Sequence, residues 1–142
     1  MTDYDPDNIF AKILRGDMPS ETVYEDDNTL VIMDIMPRVD GHALVLPKAP
    51  SRNILDMAPA DLASCVATVQ KVARASKRAF EADGITIQHF VEGAGGQMVF
   101  HTHWHVLPRF EGTPLAPHST DIAPAEKVKA NADKLRAAFN ED

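Results

Sequence analysis

With 142 residues, 44% of them apolar and 25% charged, the chain has the length and composition of one globular domain, long enough to bury roughly two-thirds of its unfolded surface. Its formal charge of −7 argues against a nucleic-acid duplex or an anionic membrane as the main partner. The lone Cys65 excludes an internal disulfide, the start MTDYDPDNIF lacks a signal-peptide pattern, and no run approaches the ~20 apolar residues of a membrane span, so a cytoplasmic chain is expected.

In chain order, DPDNIFAKILRG places Ile9, Phe10, Ile13 and Leu14 at helical spacing, with Asp5 or Asp7 as cap and Gly16 as stop. ETVYEDDNTLVIMDIMP reads as a hairpin: a strand to Tyr24, a polar turn at Glu25–Asn28, then an apolar run from Leu30. GHALVLPK (41–48) is a third strand. The longest element, PADLASCVATVQKVARASKRAFEADG, sets Leu62, Cys65, Val66, Val69, Val72, Ala73 and Phe80 along one helical stripe. Asp61 near its start and Lys77 and Arg78 near its end suit the helix dipole. ITIQHFVE (85–92) reads as a strand, residues 93–96 as a glycine-rich loop, and APAEKVKANADKLRAAF as a closing helix on Val128, Ala132, Leu135 and Phe139. Hairpin-like strands with separate helices predict an α+β fold on a mainly antiparallel sheet.

Three of the six histidines, His101, His103 and His105, alternate in HTHWHV just after the glycine loop. In a strand that spacing puts the imidazoles on one face, roughly 6–7 Å apart, and Trp104 and Val106 on the other. Three readings compete. One is a solvated strand with incidental histidines. A second is a metal site completed from His42, His89, Asp34 or Glu92, although no CxxC or HExxH spacing supports it. The third is imidazole chemistry on phosphorus, with the backbone amides of Gly93-Ala94-Gly95-Gly96 as the anion cradle. The adjacency of loop and histidines favours the third.

The segment GGQMVFHTHWHV resembles the signature of the histidine triad (HIT) family, and the similarity runs over residues 8–110, through NIFAKILRGDMPSETVYEDDNTLVIMDIMP, GHALVLPK and DGITIQHF. The resemblance implies a five-stranded sheet with N-terminal, central and C-terminal helices, pairing as a homodimer. It makes residues 1–142 one domain, with 111–142 as an extension carrying a helix. It further implies a hydrolase acting at the α-phosphate of a purine nucleoside phosphoramidate, an adenylate or a dinucleoside polyphosphate. On that pattern His103 is the nucleophile and forms a nucleotidyl-histidine. His101 and His42 support the site, and His105 donates to the phosphate or leaving-group oxygen. Gln97, with Gly95, Gly96 and Met98, lies at the phosphate, and Asp34 accepts from both ribose hydroxyls.

Val91 stands where many relatives have a phosphate- or ribose-contacting Asn, and Met98 where the phosphoramidate-cleaving branch often has a Ser; neither side chain donates a hydrogen bond. These departures keep open a nucleotide-binding sensor or interaction module with little turnover; a metal-dependent hydrolase is the remaining alternative. The zinc ligands of some bacterial members match Asn8, Ala11 and Pro50, which cannot bind zinc, so neither metal nor cofactor is expected. His89 and His118 match nothing in the pattern. With a −7 chain and an anionic substrate, attraction must be local, and Lys48 and Arg109 are candidates.

Overall fold

A computed structural model describes residues 4–118 and 121–140. Helix α1 spans Ile9–Leu14, strands β1 Thr22–Glu25, β2 Thr29–Met33 and β3 Ala43–Pro47, helix α2 Pro59–Ala79, strands β4 Gly84–Gln88 and β5 Trp104–Arg109, and helix α3 Ala125–Phe139. The strands form one five-stranded sheet in the order β1-β2-β3-β5-β4, every neighbour antiparallel. This is the expected α+β architecture.

The sheet is covered on both faces. Val31, Met33, Ala43, Val45, Trp104 and Val106 pack with Cys65, Val69 and Val72 of α2 and Val128, Ala132 and Leu135 of α3. On the other face Leu30, Ile32, Leu44 and Leu46 receive Phe10, with Ile13, Leu14 and Val99 around them. Every residue of β2 and β3 is therefore buried, which explains their continuous apolar runs. The His105 face of β5 belongs to this second, thinner layer, where the six-residue α1 packs on the sheet.

Three local expectations need correction. Asn8 caps α1, accepting from the Ala11 amide, whereas Asp5 accepts from the Asp7 amide. Val66 is 49% exposed and lies off the buried stripe of α2, which Thr68, Ala75 and Ser76 complete instead. Strand β4 ends at Gln88, not Glu92, because its partner β5 begins only at Trp104 and the last pair is Gln88 with His105. Beyond that register no ladder remains for residues 89–92, and the chain turns into the loop.

Candidate active site

His103 lies 7% exposed beneath α1, with the Phe10 ring edge-on at 4.9 Å. Its Nδ1 sits 2.7 Å from the carbonyl oxygen of His101, and a carbonyl only accepts, so Nδ1 carries the proton. That leaves Nε2 with its lone pair free. Burial pushes the His103 pKa down to about 4, with the neighbouring imidazoles adding to the shift and the His101 carbonyl opposing it, so the ring is neutral at pH 7. A neutral imidazole with an open lone pair is a nucleophile.

The same argument orders His42 and His105. The Arg38 amide donates to His42 Nδ1 at 3.1 Å, so the His42 proton is on Nε2. His42 Nε2 lies 2.9 Å from His105 Nδ1 and donates to it, which places the His105 proton on Nε2. Burial, foremost, drives His42 to about 3 and His105 to about 2. The His103 and His105 rings are 5.0 Å apart, so an open lone pair and an open N–H donor stand side by side.

Gly41 makes this placement of His42 possible. Its φ of +91° is a left-handed conformation, and a Cβ there would stand 2.6 Å from the Phe80 ring. Asp34, 17% exposed, lies across His42, its Oδ2 3.6 Å from His42 Nε2. Oδ1 accepts from the Met36 amide, while among the described residues Oδ2 has no hydrogen-bond donor. Burial raises the Asp34 pKa to about 6. This carboxylate has an oxygen to offer a ligand.

Donor atoms of Asp34, His42 and His105 lie within 4.8 Å of one another, the spacing of a cation site. The hydrogen bonds argue otherwise: with Arg38 donating to Nδ1, the Nε2 of His42 holds a proton rather than a lone pair for a metal. Of the other ligands considered from sequence, His89 has both ring nitrogens engaged, donating to the His103 carbonyl and accepting from the Ile54 amide. Glu92 is held bidentate by Arg52 and again by Asn53. The Arg38 amide, His42 and His105 form a hydrogen-bond relay, and the Asp34 carboxylate stands beside it at 3.6 Å without a hydrogen bond to it.

The expected site residues do not all converge. His101 and His103 both precede strand β5, so only His105 of the three lies on it; His101 is fully buried, donating from Nε2 to the Pro47 carbonyl and accepting at Nδ1 from the Tyr4 hydroxyl. It touches the site through its backbone carbonyl. Gln97, 4% exposed, accepts from Asn53 and the Glu92 amide and donates to the Arg52 and Val99 carbonyls. All its hydrogen-bonding positions are thereby filled, and the side chain holds the loop rather than facing out of it.

Within that loop the amides of Gly95, Gly96 and Gln97 donate inward to Glu92 and Gly93 carbonyls. Those of Gly93, Ala94 and Met98 have no acceptor among the described residues and remain as donors for an anion. Only Gly96 needs to be glycine here, with φ +101° and the Phe90 ring 3.1 Å from where a Cβ would be. The Met98 side chain is 75% exposed.

Lys48 and Arg109, the cations expected for the substrate, are both engaged by other partners. Lys48 pairs with Glu25 at 2.6 Å, and Arg109 closes β5 at its far end, donating to Thr86. A cleft of about 530 Å³ lies at that far end, between Asp83, Arg109, Phe110 and Glu111, remote from the histidines.

Several contributors had little or no sequence signal. Arg52 and Asn53 staple the loop after β3 to Glu92, whose φ of +64° is unusual for a residue with a side chain. Only the capping-box spacing of Asn53 and Asp56 was readable beforehand. His89 stacks on Trp104 with ring centroids 4.2 Å apart, and Tyr4 and Arg38 act through single hydrogen bonds across long sequence distances.

With this geometry in hand, residues 15–112 match the HIT domain family. An uncharacterised HIT-like protein of Borreliella burgdorferi is 41% identical over 107 residues, covering 74% of this chain and 77% of that protein. The crystal structure of a Hit-like protein from Bartonella henselae superposes with a TM-score of 0.92 at 48% identity, over 96% of this chain and 99% of the other. Adenylylsulfatase HINT3 of Arabidopsis thaliana is 35% identical over 105 residues, which are 74% of this chain but only 53% of that enzyme.

Proposed function

The chain belongs to the HIT domain family of nucleotide-binding hydrolases and transferases, and from that premise we propose that it cleaves at the α-phosphate of a purine nucleoside phosphoramidate, an adenylate or a dinucleoside polyphosphate through a nucleotidyl-His103 intermediate. The observation that carries this reading is the pair of fixed tautomers: a free lone pair on His103 Nε2 beside an N–H on His105 Nε2.

The His103 lone pair attacks phosphorus, a P–N bond forms, and the bond to the leaving group breaks with its electron pair leaving on that group. His105 Nε2–H donates to the oxygen or nitrogen that takes up this charge. An amine leaving group takes up a proton from solvent as it departs and the water that attacks next releases one, so the two steps balance with the His42 and His105 tautomers unchanged. That water breaks the P–N bond and returns the electron pair to His103 Nε2. Asp34 Oδ2 accepts from the ribose diol, and the amides of Gly93, Ala94 and Met98 bind the phosphate oxygens. His101 and Gln97 act as supports, with no metal in the pathway. Pairing of two copies and a cytoplasmic location complete the reading; among the described residues no helix is long and apolar enough to cross a membrane.

A second reading, a nucleotide sensor with little turnover, is favoured by Val91 and Met98, whose side chains offer no donor to substrate. Turnover of adenosine 5′-phosphoramidate or adenylyl sulfate separates the two. The hydrolase reading expects release of AMP in a strong chelator and at least ~10³-fold loss in a folded His103→Asn variant. Full activity in that variant would remove His103 as nucleophile, and binding of AMP without turnover would favour the sensor.

A further inference from the structure

We propose that His118 is a specificity-determining residue that contacts a negatively charged leaving group, carried to the site by a strap, residues 113–118, beyond the family-matched part of the chain. The proposal rests on the hydrolase reading above and names the class of leaving group that the site favours: one bearing an oxyanion, such as sulfate, phosphate or carboxylate.

The strap is fastened to the rim of the site. The Ala116 amide donates to the Arg38 carbonyl at 2.9 Å, and Arg38 Nε donates back to the Ala116 carbonyl at 2.7 Å. Further on, the Ala123 amide donates to the Ile35 carbonyl at 2.9 Å. All three bonds go to the loop between Asp34 and His42, whose Arg38 amide also sets the His42 tautomer. His118 lies two residues past Ala116. Its ring meets Phe90 edge-on at 6.3 Å, and Phe90 meets His105 edge-on at 5.3 Å, so the same phenyl ring is flanked by both imidazoles.

The six histidines divide by what their nitrogens do. His42, His89 and His101 have both ring nitrogens engaged within the protein. His103 and His105 each keep one open. His118 is exposed, and among the described residues neither of its nitrogens has a hydrogen-bond or ion-pair partner. With Lys48 paired and Arg109 engaged by Thr86, Arg38 supplies positive potential at the mouth of a site in a chain of charge −7, and His118 adds an imidazole with both nitrogens open to a ligand.

The test compares kcat/KM for adenosine 5′-phosphosulfate, whose leaving group is anionic, with that for adenosine 5′-phosphoramidate, whose leaving group is an amine. Wild type, His118→Ala and His118→Lys are measured as full-length chains. Loss of one charge-assisted contact is expected to lower the sulfate-to-amide ratio about tenfold in His118→Ala, and the lysine variant to restore most of it. An unchanged ratio in His118→Ala, or a lowered ratio that lysine does not recover, overturns the assignment and leaves the hydrolase reading standing. Wild-type protein that turns over neither compound sinks both.

Discussion

His103 and His105 present different groups to a ligand because their backbone and ring partners differ, although one is a buried and the other a half-buried imidazole in one short segment. A carbonyl at Nδ1 leaves His103 a lone pair; a donating His42 leaves His105 an N–H. Asp34 gives a prediction with a sign. Its pKa, raised by burial to about 6, means that the carboxylate is mostly ionised at pH 7 and mostly protonated at pH 5. The KM for a ribonucleotide substrate should therefore rise on acidification from pH 7 to 5, while that for its 2′,3′-dideoxy analogue should not share the rise. Parallel trends for the two would take Asp34 out of the ribose role. The residue types His42, His103, His105 and Asp34 were legible from spacing and family resemblance. The proton positions were not, because they depend on the Arg38 amide and the His101 carbonyl, groups that every residue carries.

At the scale of elements, the glycine loop is positioned by its neighbour after β3. Arg52 and Asn53 grip the Glu92 carboxylate, Gln97 donates to the Arg52 carbonyl, and Glu92 is held at a positive φ. Glu92→Gln should keep the fold but loosen the Met98 amide, lowering kcat/KM by as much as ~10²-fold, the size of effect that a 1 Å misplacement produces. Steady-state kinetics on a variant of unchanged circular dichroism checks this; wild-type kinetics would show that the loop holds without the bracket. Gly41→Ala is the complementary case. With φ +91° and Phe80 2.6 Å from the new Cβ, it should lower Tm and disturb His42 together, by ~1–3 kcal/mol of strain or more. A stable, fully active Gly41→Ala would show that the ring moves freely. The glycine loop itself was legible, but its amides were expected to face an anion as a group. The single 3-10 turn directs those of Gly95 and Gly96 inward, a consequence of local backbone bonding that composition does not reveal.

For the whole molecule, the site has an acid-stability consequence. Burial lowers the pKa of His42, His89, His101, His103 and His105, whereas an unfolded histidine titrates near ~6.5. Above that value both states are neutral and this stability is fully present. On acidification the unfolded chain binds protons first, so stability is lost as pH falls through ~6.5 towards the folded values. Asp34 works the other way, since its folded pKa lies above the unfolded one, but it is one group against five. The urea midpoint should therefore drop steeply between pH 7 and pH 5, by roughly 1.4 kcal/mol per pH unit for each uncompensated proton. A midpoint that holds or rises over that interval would contradict the buried neutral imidazoles. The fold class followed from apolar periodicity because both faces of the sheet draw on regular helices. The C-terminal part was less legible: its strap binds Arg38, and Arg136 reaches back to Glu21 and the Thr22 carbonyl, contacts between positions far apart in the chain.

The most direct measurement is rapid-quench trapping of wild-type protein during turnover of a radiolabelled adenosine 5′-phosphoramidate, followed by peptide mapping under conditions that preserve P–N bonds. Label is predicted on the peptide containing His103, appearing before AMP is released and absent from His103→Asn. Product formation with no protein-bound label at any time point, or label on a different histidine, would contradict covalent catalysis by His103.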